Sequence, residues 1–311
     1  MSKGLKWLSW ATVVGMFLVL QAGTLVTKTG SGDACGETYP QCNGMWFPPL
    51  DDVNAWIEYS HRIISGVVGI LVIAMVVMIW RRYRGRGEMR FFAGAALFFL
   101  ILQSWLGALA ARGQQPKIVL ALHFGISLAA FATVLLPAVV DTQLSNGGTG
   151  RSIPVSRKLR NWIWFATLFT FGIVFSGAYV RHTGAVAACP DWPLCHGQLI
   201  PPLTGEIGIH FAHRVAAALG VLILAWVWYL AQSERLRPDV ARGAGAAFLL
   251  MVLQALSGGL SVLTSFSLTA MMLHSSIIVV LFGVLAYTSL QVCREPGPEL
   301  SPHVYRSFVS N

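Results

Sequence analysis

Charge is what this sequence has least of. Only 11% of its 311 residues are Asp, Glu, Lys or Arg, against 55% hydrophobic, where a soluble domain carries about a quarter charged residues. With a mean hydropathy of +0.63, an ordinary soluble fold is excluded and the chain reads as an integral membrane protein. Also missing are a Walker phosphate loop, a GxGxxG nucleotide turn and a hydrolase nucleophile elbow. The paired cysteines are spaced Cys-x6-Cys and Cys-x5-Cys, not the C-x2-4-C of structural zinc sites, although His210 and His213 share a helix face nearby. No pair of helix-breaking Pro or Gly residues interrupts the mid-membrane positions, which argues against a transporter built on parallel repeats.

What is present is apolar length. Eight runs can each cross about 30 Å of hydrocarbon, which takes roughly 20 helical residues: approximately Trp7–Val26, His61–Trp80, Phe91–Ala111, Ile118–Val140, Trp162–Val180, Phe211–Ala231, Gly243–Thr264 and Leu268–Val292. Backbone groups in lipid must be satisfied within the segment, so helices are expected. The first run, with Lys3 and Lys6, has the look of a signal peptide, but it is too long for an h-region and Ala22-Gly23-Thr24 is a weak cleavage site, so it is read as retained. Trp7 and Trp10 read as interfacial anchors.

The net charge of +9 is an orientation signal and not a nucleic-acid footprint. Arg81, Arg82, Arg84, Arg86 and Arg90 fill the turn after run two. Arg151, Arg157, Lys158 and Arg160 follow run four, and Arg235, Arg237 and Arg242 follow run six. Acidic residues gather after runs one and five: Asp33, Glu37, Asp51, Asp52, Asp191 and Glu206, with Lys28 and Arg181 only at the edges. Positive-inside logic puts both termini in the cytoplasm of a bacterial cell and the two cysteine loops outside.

The chain is duplicated. Cys35 to Cys189 is 154 positions, His61 to His213 is 152, and His123 to His274 is 151. The polar stretch 141–161, with Asn146-Gly147-Gly148-Thr149-Gly150, has linker composition. The expected fold is therefore an all-α integral membrane protein: eight transmembrane helices as two tandem pseudo-symmetric four-helix bundles. The halves are 1–140 and 162–292, followed by a cytoplasmic tail, 293–311. Four spans per half give both the same orientation, related by an axis along the membrane normal.

Four histidines carry the chemical signal. His61, His123, His213 and His274 stand within the first turn or two of outside-to-inside runs, within roughly 10 Å of the outer surface at about 1.5 Å per residue. Ionisable groups in a membrane are costly and point to function. One pair per half at matching depth suits bis-histidine heme ligation, an imidazole approaching each face of the porphyrin inside a helix bundle. The competing reading is helix-packing histidines bonded to hydroxyls.

Cys35–Cys42 and Cys189–Cys195 read as disulfides on the oxidising face, either stapling loops or, for Cys35–Cys42, exchanging electrons. Cys293 lies unpaired at the cytoplasmic end of run eight. Glu58, three residues before His61, is either a proton donor or acceptor beside a reacting carbon or a solvated carboxylate favoured by a helix N-terminus. The second half has His210 in its place, so one half is expected to do chemistry while the other holds a cofactor. Arg62 and Arg214 either pair with heme propionates or snorkel. His182 and His196 read as surface residues of the loop, His210 as exposed, and His303 as part of the polar tail.

Taken together, Thr27-Lys28-Thr29-Gly30-Ser31-Gly32 with Cys35 and Cys42, Glu58-Tyr59-Ser60-His61-Arg62, Leu122-His123-Phe124-Gly125-Ile126-Ser127, Gly177-Ala178-Tyr179-Val180-Arg181-His182-Thr183, Cys189 to Cys195, His213-Arg214 and Leu273-His274-Ser275 resemble bacterial heme A synthases. The two cysteine pairs are similar to those of the Gram-positive type. The resemblance runs from residue 5 to about 290. It implies oxidation of a ring methyl of heme O to a formyl group, through two hydroxylations and loss of water from a geminal diol. It further implies that His61 and His123 bracket heme O or the product heme A, with Glu58 beside it as acid/base or cation-stabilising carboxylate. His213 and His274 would ligate a permanent heme b able to pass electrons. Cys35 and Cys42 match the pair implicated in activity, and Cys189 and Cys195 look structural. Heme O synthase, cytochrome oxidase assembly factors and an electron-transfer partner are the expected associates, besides membrane lipid. The rival function is a non-catalytic diheme membrane cytochrome, and Glu58 against His210 is the feature that separates the two.

Overall fold

The computed structural model describes residues 3–110, 117–148, 153–234 and 237–294. Ala111, the orienting Arg151 and Arg235, and His303 with the tail beyond Arg294 lie outside the described residues. Eight helices follow in order: α1 (Lys3–Thr29), α2 (Val53–Arg82), α3 (Gly87–Ala110), α4 (Lys117–Ser145), α5 (Arg157–Thr183), α6 (Gly205–Ala231), α7 (Pro238–Leu263) and α8 (Leu268–Cys293). All eight are long and apolar enough to cross a membrane. Among the described residues the extended pairings are isolated bridges, Cys42 to Met45 and Cys195 to Gln198. The protein is a multi-pass, all-α membrane protein.

Helices α2 and α5 start before their apolar cores because polar side chains cap them earlier than hydropathy would. Asp52 caps α2, its side chain accepting the Ala55 N–H at 2.9 Å, so α2 starts eight residues before His61. Glu58 is therefore a helical residue. His213 likewise lies eight residues into α6, and His123 and His274 six residues into α4 and α8. At about 1.5 Å per residue, His61 and His213 are about 12 Å and His123 and His274 about 9 Å from their helix starts. Counted from the helix start, His61 and His213 thus lie just past the second turn and His123 and His274 within it. Ser156 caps α5 through the Leu159 N–H, and Gly184, at φ 85°, ends it.

Two compact units are formed. The first is the chain up to Ala138 together with Phe266–Ser276; the second is Val139–Ser265 with the remainder of α8 from Ile277. The head of α8 thus groups with the first unit, unlike the expected 162–292 division. Within that unit, Ser276 on α8 donates to Gln21 Oε1 on α1 at 2.9 Å. The expected 141–161 linker is shorter too, since α4 continues to Ser145 and α5 begins at Arg157.

In the first unit α1 packs along α2 and α2 along α3; in the second, α5 packs along α6 and α6 along α7. Lipid gives no hydrophobic drive for helix association, so packing and polar contacts must hold the helices together. The buried Thr167–Ser289 hydroxyl pair at 3.0 Å is one such contact, worth about 0.6 kcal/mol by the membrane-protein average. Arg237, expected as an orienting cation, does more. It is 4% exposed, pairs with Asp239 at 2.9 Å, and donates to the Ile153 and Gln291 carbonyls. Cys293 is a free, exposed thiol.

Candidate functional site

The site is built at the head of α2. The Cys35–Cys42 disulfide sits in a small core with Ala55 and Tyr59, flanked by Ala34 and Trp56. Tyr59 donates its hydroxyl to the Trp46 carbonyl, and the Trp56 indole donates to Pro49 O at 3.0 Å. These bonds fold the cysteine loop back over the helix. The Cys35 N–H then reaches Glu58 Oε2 at 2.8 Å.

Arg62 closes the arrangement from one turn below. Its guanidinium donates to Glu58 Oε1 through Nε at 3.0 Å and Nη2 at 2.5 Å. It also donates to the Gln41 and Gly36 carbonyls, each at 2.8 Å. Glu58 is 4% and Arg62 8% exposed. The snorkelling reading of Arg62 therefore gives way, because loop carbonyls and Glu58 engage its guanidinium. The solvated-carboxylate reading of Glu58 fails for the same reason. A carboxylate offers about four acceptor sites; three are taken here, which leaves about one for a proton.

The second half repeats the clasp without the carboxylate. Arg214 donates to the carbonyls of Asp191 at 2.8 Å, Leu194 at 2.6 Å and Cys189 at 3.0 Å, across the loop closed by Cys189–Cys195. Asp191 accepts the His196 N–H at 2.7 Å and the Gly197 N–H at 2.8 Å. The Gly197 N–H above all holds its carboxyl below the ordinary 3.8. The loops even share backbone shape: Asn43 (φ 52°) and His196 (φ 53°) occupy matching left-handed positions.

His210 stands where Glu58 does, but it is not exposed as expected. It is 6% exposed, enclosed at the head of α6. His182 belongs to the last turn of α5 and not to the loop, while His196 is exposed.

The helix histidines are supported by glycines. A Cβ at Gly23 would stand 3.1 Å from His61 Cε1, one at Gly177 2.9 Å from His213 Cε1, and one at Gly107 3.5 Å from His123 Cε1. Only glycine lets α1 and α5 come this close to the rings. Gln103 donates to the His123 carbonyl at 3.2 Å. The Nδ1 atoms of His61 and His123 are buried with no hydrogen-bond partner among the described residues. His213 Nδ1 instead meets Ser176 Oγ at 2.8 Å. Half-buried imidazoles backed by glycine, with no carboxylate partner among the described residues, fit a role in holding an iron porphyrin.

Ser176, the three glycines and the arginine clasp are parts of the site that the sequence alone does not mark. The register carried a usable signal, since Gly23 and Gly177 are 154 positions apart, like Cys35 and Cys189.

Fold and site together define a duplicated eight-helix membrane protein whose two disulfide loops are each clasped by the arginine following a half-buried histidine. The chain belongs to the cytochrome oxidase assembly protein family, whose sequence pattern matches residues 6–286. It is 40% identical over 289 residues to the heme A synthase of Symbiobacterium thermophilum, covering 92% of this chain and 94% of that protein. It is 39% identical over 295 residues to the heme A synthase of Geobacillus kaustophilus, covering 94% and 93%. Identity to that of Alkalihalophilus pseudofirmus is 38% over 297 residues, covering 94% and 99%.

Proposed function

We propose that this protein oxidises a ring methyl of heme O to a formyl group, giving heme A for cytochrome oxidase biogenesis. The observation that carries the reading is the difference between Glu58 and His210 within an otherwise repeated frame. A plain electron carrier has no use for a buried carboxylate in only one of two matching sites. His61 and His123 hold the substrate heme between them. Glu58, one helical turn before His61, takes or gives a proton beside the reacting methyl or stabilises positive charge there. Arg62 and the Cys35 N–H fix the carboxylate's direction, so they position it and do not react.

His213 and His274 ligate heme b, an assignment that rests on the family resemblance. When bound, that heme supplies one-electron transfer. The protein lies in the bacterial cytoplasmic membrane with both termini inside and the cysteine loops outside. Heme O synthase, assembly factors and an electron-transfer partner are the associates that a heme O-to-heme A step requires. An impermeant thiol reagent should label Cys293 only after the membrane is opened; labelling of intact cells would reverse the sidedness.

Expression beside a heme O source, in a host without its own heme A, tests the reaction. Heme A should accumulate, and Glu58→Gln should abolish it while heme stays bound. Heme O bound but never converted by the unaltered protein would leave the diheme cytochrome as the better account.

A further inference from the structure

Ser176 and Ala22 occupy equivalent places, each one residue before the glycine that supports a histidine. Ser176 Oγ lies 2.8 Å from His213 Nδ1 and 2.7 Å from the Ile173 carbonyl. A serine hydroxyl has one proton. A carbonyl can only accept, so that proton goes to Ile173 and Oγ accepts from His213 Nδ1–H. The tautomer of His213 is thereby fixed, with its Nε2 lone pair free to bind a metal.

Ala22 offers His61 nothing comparable, and His61 Nδ1 is buried with no partner among the described residues. Steric support separates the halves little, since a Cβ at Gly23 or Gly177 would stand 3.1 or 2.9 Å from its ring. The hydroxyl separates them.

We infer that Ser176 is a positioning residue that makes His213 a retained heme ligand, and that alanine at position 22 leaves His61 an exchangeable one. The inference rests on the heme reading above and adds to it a reason why one half keeps its heme while the other trades substrate for product. An imidazole that donates its second N–H is held in orientation and made more basic, and losing such a partner lowers metal affinity about 10- to 100-fold. An unpartnered ring turns more freely and spends part of its time in the tautomer that protonates Nε2. A resident electron relay has to stay through many turnovers. A substrate site has to release its product in each one.

The test uses full-length protein purified with its hemes, comparing Ser176→Ala, Ser176→Thr and Ala22→Ser. Heme is drawn into an excess of apomyoglobin, and the transferred pigment is separated by chromatography into heme b and heme O or A. The low-spin ferric EPR signal and the midpoint potential of heme b are recorded alongside. Ser176→Ala should release heme b roughly 10-fold faster or more and shift its EPR signal, and Ser176→Thr should restore both. Ala22→Ser, with the Val19 carbonyl placed to take its proton, should slow release of heme O or A by a similar factor. Unchanged heme b release and EPR signal in Ser176→Ala, or unchanged heme O or A release in Ala22→Ser, overturns the inference. Should Ser176→Ala fail to assemble, the Ala22→Ser arm decides alone. Retention of heme b by His213→Ala would instead overturn the ligand assignment itself, which keeps the two failures distinct.

Discussion

The Cys35 N–H and the Glu58 carboxylate, 23 residues apart in sequence, meet at 2.8 Å. This bond ties the disulfide-closed loop to the one acidic side chain buried beside His61. Arg62 joins both ends, donating to Glu58 and to the carbonyls of Gly36 and Gln41. Loop closure and carboxylate direction are therefore a single mechanical unit. The second half has only the arginine-to-carbonyl part of it.

Removing Arg62 should expose the dependence. Arg62→Ala leaves Glu58 buried without its cation, a defect that costs roughly 3–5 kcal/mol. In a Glu58→Gln background the same change should cost less, giving a coupling of about 0.5–3 kcal/mol in a double-mutant cycle. Thermal unfolding, with proteolysis of the loop as a second readout, measures it. Additive losses would show that the two side chains do not act together.

The glycine contacts predict a graded series. Gly177→Ala places a Cβ 2.9 Å from His213, Gly23→Ala 3.1 Å from His61, and Gly107→Ala 3.5 Å from His123. The first must displace a ring, at a cost of about 1–3 kcal/mol, and the last is an ordinary contact. Heme content per protein should fall in Gly177→Ala, fall less in Gly23→Ala and hold in Gly107→Ala. Equal heme content in all three would break the link between glycine packing and ligand placement.

Acid should loosen the second loop before neutral conditions affect it. Asp191 sits below its ordinary 3.8 because the Gly197 and His196 N–H groups bind its carboxylate. A depressed folded-state value means its contribution is full above 3.8 and is lost as pH falls below that, through the folded value. Hydrogen exchange at His196 and Gly197 should accelerate there beyond its intrinsic pH trend. Asp191→Asn should remove that extra dependence, and an unchanged profile in the variant would contradict the assignment.

Much of this was legible in the residues. Hydropathy located all eight helices because each crossing requires an apolar run, and the constant offset between Cys35 and Cys189, or His61 and His213, exposed the duplication. Helix starts were not legible, because Asp52 and Ser156 extend the helices through polar sequence that hydropathy discounts. The snorkelling reading of Arg62 and the exposed reading of His210 give way for one shared reason. A polar residue at a membrane boundary reads as solvated, and only the folded chain brings the carbonyls that engage Arg62 and the packing that encloses His210. Ser176 went unnoticed because a serine in a helix is ordinary until the ring it faces is known.

We propose that paired imidazoles hold iron porphyrin in both halves and that one half converts it. Extracting the pigment from purified protein and identifying its hemes by chromatography tests this most directly. Heme b together with heme O or heme A is the predicted result. A colourless protein with no Soret band, prepared where heme is plentiful, would contradict it.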